Sequence, residues 1–285
     1  DHRDLHSFPT RRSSDLVGSL FCQPPRLFGA ALALKASFLV LVIFSLLAAP
    51  LPAEALTLEP PKKNGAEPLD AIDEYVLGGM VKKHVPGLAL GVYQAGSILK
   101  TEGYGWANVE TKEPVRSNTV FQIQSVTKSF TASAIMLLID EGKLGLEDRI
   151  TNYITGCPES WSNITVRHLL THTSGIKDFI NEPTVRLDQD LTPEAVVASL
   201  VQRPLNFAPG EKYTYSNTGY HLLGMIIHQV SGTPWEEVLR ERIFRPLAMR
   251  DTEFNSATCA LPRRAAGYIW ADDRLQPGMY VAQNL

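Results

Sequence analysis

The segment spanning residues 125–138 constrains the fold more than any other part of the chain. Val126, Phe130, Ala132, Ala134, Ile135, Met136, Leu137 and Leu138 make it apolar nearly all round, and Gly142 supplies a stop. A helix of that composition is buried on most sides, so the chain has to provide layers that cover it. Upstream, residues 70–83 place Ile72, Tyr75, Val76, Met80 and Val81 at the spacing of an amphipathic helix, which Pro86-Gly87 ends. Two apolar runs, 88–93 and 98–104, flank Gln94-Ala95-Gly96-Ser97 and read as a β-hairpin. Downstream, helices fit residues 166–171, 193–201, 219–230 and 235–243. This order predicts an α/β protein of the α+β type: an antiparallel central sheet flanked by helices, with a mostly helical subdomain.

The first 55 residues read as something other than fold. Residues 1–16 (DHRDLHSFPTRRSSDL) match the in-frame translation of a common sequencing-library adapter along their whole length. Residues 17–55 form a signal-peptide region: Arg26 and Lys35 supply positive charge, residues 36–47 an apolar run, and Pro50 and Pro52 break it. Ala53-Glu54-Ala55 then offers small residues at both cleavage positions. The apolar run is shorter than the roughly 20 residues that a membrane span needs. Cleavage after Ala55 is therefore expected, giving a periplasmic or secreted protein with no stable membrane span. Residues 56–69 read as a leader and residues 70–285 as one domain.

A formal charge of −3 offers no basic surface for nucleic acid. The three cysteines are too few for a disulfide scaffold, and Cys22 lies outside the mature part. Cys157 and Cys259 can pair in an oxidising compartment, but cysteines in such numbers more often stay free.

The pattern Ser-x-x-Lys occurs three times. Ser97–Lys100 lies in the hairpin, where positions three apart point to opposite faces. Ser174–Lys177 lies in a turn containing Gly175. Ser125–Lys128 alone opens a helix, where positions three apart share a face. A serine hydroxyl needs a neighbour to take its proton, and a lysine does so only when burial or positive charge disfavours the ammonium. The apolar helix and its N-terminal dipole supply both conditions. A second segment, 209–220 (PGEKYTYSNTGY), opens another helix. In it Tyr215 and Asn217 stand two apart and can face one cleft. A phenol can hold or pass a proton beside a lysine, and a carboxamide can bind an amide or ester.

With their surroundings these segments resemble the serine β-lactamase and penicillin-binding protein superfamily, and above all its class C-like branch. That branch also holds DD-peptidases, D-aminopeptidases and carboxylesterases. The likeness is carried by PGLALGVY (86–93), GYGWANV (103–109), FQIQSVTKSF (121–130), HLLTHTSGI (168–176) and residues 209–219. It implies a β-lactamase/transpeptidase-like fold, with Ser125 acylated, Lys128 and Tyr215 as proton-transfer partners, and Asn217 touching substrate. The Ser125 backbone N–H would form half of an oxyanion hole. The resemblance also implies a third motif, Lys-Thr-Gly or a His-bearing equivalent, which nothing after Asn217 fits. Residues 70–285 are thus expected to be an incomplete domain, inactive and poorly stable by itself, and residues 267–285 to be an unfinished segment.

Two rival readings compete. His168 and His172 have the i, i+4 spacing of a metal site, but no Glu stands between them in the zincin arrangement. A member that kept the pocket without turnover would serve as a cell-wall sensor or binding module. Glu159 and Asn163 match a Glu-x-x-x-Asn pattern of class A enzymes, but in the wrong chain order relative to Tyr215. No P-loop, dinucleotide fingerprint or G-x-S-x-G elbow is present, so no cofactor or metal is expected. The expected partner is a small-molecule or peptidoglycan-derived substrate: a β-lactam, a D-alanyl peptide or a short ester.

Overall fold

A computed structural model describes residues 59–183, 185, 192–254 and 261–278. The expected adapter and signal regions, and Cys22 and Cys259, lie outside the described residues.

Helix α1 (Ala71–Lys82) begins at a reciprocal cap. Asp70 accepts from the N–H groups of Ile72 and Asp73, each at 2.9 Å, while the Asp73 carboxylate accepts from Asp70 N at 2.9 Å. The expected apolar face is not the one buried. Met80 is buried, yet Tyr75 is 84% exposed, and Ile72 and Val81 are exposed too. The helix is held instead by Asp73, whose carboxylate is buried among Lys63, Lys100 and Tyr104.

Strands β1 (Gly87–Gln94) and β2 (Ser97–Asn108) form the expected hairpin, with Gln94 opposite Ser97. Ala95 and Gly96 both have positive φ, 48° and 79°, which matches the right-handed twist of the strands they join. β2 runs four residues past the expected end and pairs with β3 (Glu113–Pro114), so all pairings in this three-stranded sheet are antiparallel. Gly105 (φ 64°) is needed where it stands, because a Cβ there would lie 2.1 Å from the Pro86 carbonyl oxygen.

Helix α2 (Thr127–Asp140) follows a short 3₁₀ turn, Gln124–Val126. It is not buried on most sides. Thr131, Ala134, Ile135 and Leu138 face inward, while Ser129, Ser133 and Met136 are exposed and Val126 is 61% exposed. The physical reason is that two later helices, α5 (Asn217–Ser231) and α6 (Trp235–Leu239), cover one face. On the other, Ser129 and Ser133 turn their hydroxyls back to the carbonyls of Val126 and Ser129.

Helices α3 (Val166–Leu170) and α4 (Pro193–Leu200), like α5 and α6, follow the expected segments. After α6 the chain continues as a π turn, Arg240–Phe244. α5 is central: Leu222, Leu223, Ile226 and Ile227 are fully buried against the inward faces of α2 and α3. Trp161, Ile164, Leu169 and Leu239 belong to the same core. Within residues 267–285 the described residues 267–278 contain a second hairpin, β4 (Tyr268–Ala271) and β5 (Arg274–Pro277), turning on Asp272-Asp273. The segment just before it is tied to β2, with Ala266 N donating to Ala107 O at 2.8 Å, and Trp270 stacks at 3.8 Å on His84 in the turn after α1. The fold is thus α+β: an antiparallel sheet carrying α1, beside a helical body built around α5.

Candidate active site

The turn before α2 presents Ser125 to solvent. Gln124, the residue in front of it, holds φ at 47°, a left-handed conformation uncommon for a side chain of that size. Strain of this kind persists where surrounding structure over-determines it, and it clusters at functional sites. One helical turn on, Lys128 directs Nζ back to Ser125 Oγ at 3.3 Å. The rival Ser-x-x-Lys copies do not close. Lys100 pairs with Asp70 and Asp73, and Lys177 donates to Asn206.

Tyr215 and Asn217 arrive from the start of α5. Ser216 is extended (φ −141°, ψ 127°) and caps the helix by accepting from Gly219 N. That one extended residue separates a loop tyrosine from a helical asparagine and lets both face Lys128. Tyr215 Oη lies 2.7 Å from Ser125 Oγ, and Asn217 Oδ1 accepts from Lys128 Nζ at 2.8 Å. The Lys128 ammonium also sits over the rings of Tyr215 and Tyr220, at 5.0 and 5.7 Å from their centroids. All four residues predicted from the sequence therefore meet in one place. No carboxylate pairs directly with Lys128 among the described residues.

Partial burial pushes the Tyr215 phenol up, but the Lys128 ammonium beside it and the hydrogen bond with Ser125 outweigh that. The phenol is held below its ordinary value. The His172 ring lies 4.7 Å from Tyr215 and 5.1 Å from Tyr220, and its Nδ1 accepts from Ser216 N at 3.2 Å. Burial, and then the charge of Lys128, hold His172 below the usual histidine value. His168 is engaged elsewhere, where its Nδ1 accepts from Thr165 N at the start of α3. The two histidines thus face different partners.

A cavity of about 400 Å³ opens beside Ser125, Lys128 and Asn217. Tyr153, Tyr220, Met225 and Trp235 give it apolar walls, and His221, His228, Glu194 and Glu236 add polar groups. The Tyr153 hydroxyl is engaged with Asp148 at 2.6 Å, and burial together with that bond pushes its pKa up to about 12. Glu159 and Asn163 are exposed and do not line this cavity. Cys157 donates to the Ile154 carbonyl, and burial pushes its thiol up.

The sequence favours a structural or supporting role for His168 and His172 over a metal site, and His172 packs against Tyr215 and Tyr220. Sequence reasoning missed Asp178 altogether. Asp178 Oδ2 accepts from both the backbone N and the Nδ2 of Asn217, at 3.0 Å each. The available signal was a charged residue set directly before the buried Phe179, in the loop that follows the HTSG turn.

A family model described as Beta-lactamase matches residues 72–285. Penicillin-binding protein 4* of Bacillus subtilis (strain 168) is 34% identical over 190 residues, which cover 62% of this chain and 40% of that protein. Among solved structures, the octameric penicillin-binding protein homologue from Pyrococcus abyssi matches with a TM-score of 0.63 and 33% identity, over 72% of this chain and 49% of that one. The D-amino acid amidase from Ochrobactrum anthropi SV3, complexed with L-phenylalanine amide, matches with a TM-score of 0.63 and 32% identity, over 72% of this chain and 60% of that one. The chain thus spans 40% of that curated relative's length. A match over residues 72–285, on an α+β fold shared with these structures, shows that the chain belongs to the β-lactamase family.

Proposed function

We propose that this protein is a serine hydrolase working through an acyl-enzyme on an amide or ester: a β-lactam, a D-alanyl peptide or a short carboxylic ester. The observation that carries the reading is the 2.7 Å contact of Tyr215 Oη with Ser125 Oγ, with Lys128 Nζ 3.3 Å from the same oxygen. A serine, a lysine and a tyrosine from segments 90 positions apart converge on one exposed hydroxyl, and the relatives include an amidase and penicillin-binding proteins.

In this reading Ser125 is the nucleophile. Its proton passes to the Tyr215 oxygen, taken in the phenolate form that the Lys128 ammonium favours. As the Oγ–C bond forms, the carbonyl electron pair moves onto oxygen. Ser125 stands where a helix begins, and the first N–H groups of a helix lack intrahelical acceptors and favour negative charge. When the carbonyl reforms, the C–N or C–O bond breaks, and the departing atom takes the proton from Tyr215. Water then gives a proton to Tyr215 and attacks the acyl carbon. Ser125 leaves with that proton, and a carboxylic acid is released. Asn217 offers its remaining amide hydrogen to the substrate.

Export rests on residues 26–55, outside the described structure. An exported protein beginning at Leu56 would support a periplasmic or secreted location, and retention with an intact N-terminus would remove it.

The function is tested by reacting the full-length protein, in which the domain is expected to be complete, with a fluorophosphonate probe and mapping the adduct by mass spectrometry. A single addition on Ser125, lost in Ser125→Ala and slowed in Lys128→Ala, is expected. Labelling elsewhere, or equal labelling of all three proteins, overturns the assignment.

A further inference from the structure

Asn217 is held at both ends. Its Oδ1 faces Lys128 at 2.8 Å and its Nδ2 faces Asp178 Oδ2 at 3.0 Å. An ammonium has only donors and an ionised carboxylate only acceptors, so this pair of neighbours admits one orientation of the carboxamide. With Asp178 absent, Lys128 alone would still attract the oxygen, but nothing would hold the amide plane or keep Nδ2 from turning.

The segment bearing Asp178 is stitched to the start of α5. Asn217 N donates to Asp178 Oδ2 at 3.0 Å, Thr218 Oγ1 donates to Lys177 O at 2.8 Å, and Phe179 N donates to Thr218 Oγ1 at 2.9 Å. A carboxylate at a helix N-terminus is favourable by itself, and one oxygen would suffice for that purpose. The other oxygen, Oδ1, is buried and has no hydrogen-bond partner among the described residues. Burying an unsatisfied charged oxygen is costly. Lys128 lies one carboxamide away, across Asn217. The negative charge also reaches His172 and Tyr215. An arrangement costlier than a helix cap requires, placed behind the asparagine that touches Lys128, serves that site.

We propose that Asp178 is a positioning residue: through Asn217 it fixes the carboxamide with its oxygen on Lys128, and it balances the lysine charge without pairing to it directly. A direct Lys–Asp pair would draw the ammonium away from Ser125. The carboxamide between them keeps the charge compensated while leaving Nζ within reach of Oγ. The inference rests on the serine-hydrolase reading for its effect on rate, but the orientation itself is independent of that reading.

The test is a double-mutant cycle in the full-length protein, read by fluorophosphonate labelling of Ser125, with side-chain amide NMR alongside. Asp178→Ala is expected to slow labelling about 100-fold, the scale of a misplaced reacting group. Asp178→Asn keeps an acceptor in place and is expected to fall between Asp178→Ala and wild type. In the Asn217→Ala background, Asp178→Ala should change the rate no further, because the residue acts through Asn217. Equal slowing in both backgrounds, or an unchanged rate in folded Asp178→Ala, overturns the proposal. If Asp178→Ala fails to fold, Asp178→Asn takes its place in the cycle. Should wild-type Ser125 not label, the hydrolase reading fails, and the NMR still decides the orientation. The Asn217 side-chain amide signals shift in Asp178→Asn if the bond exists, and unshifted signals overturn it.

Discussion

The molecule builds nearly the same set of side chains twice, with opposite results. Beside α1, Asp73 is fully buried and accepts from Tyr104 Oη at 2.6 Å, while Lys63 and Lys100 approach it at 3.2 and 2.7 Å. At the start of α2, Lys128 meets Tyr215 and, through Asn217, Asp178. In the first cluster the carboxylate lies at the centre. Burial, then the bond to Asp73, drive the Tyr104 phenol far above its ordinary value. In the second the lysine is central, no carboxylate among the described residues pairs with it, and Tyr215 is held below its ordinary value. Two tyrosines of equal intrinsic acidity are thus pushed apart by burial and by the sign of their nearest charge. The first arrangement locks a proton in place and ties the leader segment, α1 and the hairpin together. The second, in the proposed mechanism, leaves a proton that can move.

The sharpest way to break this contrast is to delete the lysines. Lys128→Ala is expected to slow acylation of Ser125 by about 10³-fold, the scale of a lost charge that stabilises the reacting groups. Lys100→Ala should leave the acylation rate of the folded protein unchanged and lower its urea midpoint. Similar rate losses in the two variants would mean that the clusters are not distinct in function.

The tyrosines give the next largest separation. Tyr215→Phe should slow acylation by about 100-fold, with stability within about 0.5 kcal/mol of wild type, as for an exposed substitution. Tyr215 is 43% exposed, whereas Tyr104 is fully buried. Tyr104→Phe leaves a buried carboxylate short of a donor and should cost about 2 kcal/mol in denaturant unfolding, with no change in labelling rate.

A third separation lies in acid. Burial would raise the Asp73 carboxyl, but hydrogen bonds from Lys100, Tyr104, the Asp70 backbone and Lys63 together hold it far below the carboxylate range. In the unfolded chain Asp73 takes up its proton near pH 4, with the ordinary value at about 3.9. Between these two values the unfolded state binds more protons, so stability falls as the pH is lowered. The urea midpoint of the wild type should therefore drop below about pH 4 more steeply than that of Asp73→Asn. Parallel slopes would show that the cluster carries no linked proton.

The two clusters were not equally legible in the sequence. The convergence of Ser125, Lys128, Tyr215 and Asn217, the proposed nucleophile and its partners, was readable because they sit in short patterns whose spacing has a geometric meaning on a helix or an extended segment. The Asp73 cluster is assembled from a leader lysine, a helix cap and two strand residues, and each alone reads as ordinary. The helical periodicity of α1 was correct, but it misjudged the face: one buried aspartate with three partners anchors the helix where Ile72 and Tyr75 were expected to. For α2 the error was of the same kind. Apolar residues all round do not require burial all round, because Ser129 and Ser133 can satisfy themselves on the helix backbone. Asp178 escaped because its role depends on where Asn217 lands, a long-range fact with no local pattern.

The smallest expected effect belongs to His172, which borders the Lys128 cluster and has no counterpart in the Asp73 one. Its backbone is left-handed at φ 58°, its Nδ1 accepts the Ser216 N–H, and its ring lies against those of Tyr215 and Tyr220. An imidazolium would lose that acceptor and set a second positive charge near Lys128. Burial and the Lys128 charge accordingly hold the native pKa below the usual value. In the unfolded chain the imidazole protonates near the ordinary value of about 6.5. As pH falls through that value the unfolded state takes up a proton that the native state refuses, so stability declines until the native pKa is passed and the loss levels off. His172→Gln keeps an acceptor and removes the titration. Its urea midpoint should change less than wild type between about pH 7 and pH 5, the interval below the unfolded value. The ring is partly exposed, so solvent screens the effect and the difference in slope should be small. A slope unchanged by the substitution would assign the acid sensitivity of the folded protein to the carboxylates alone, and would leave His172 as a wall for Tyr215.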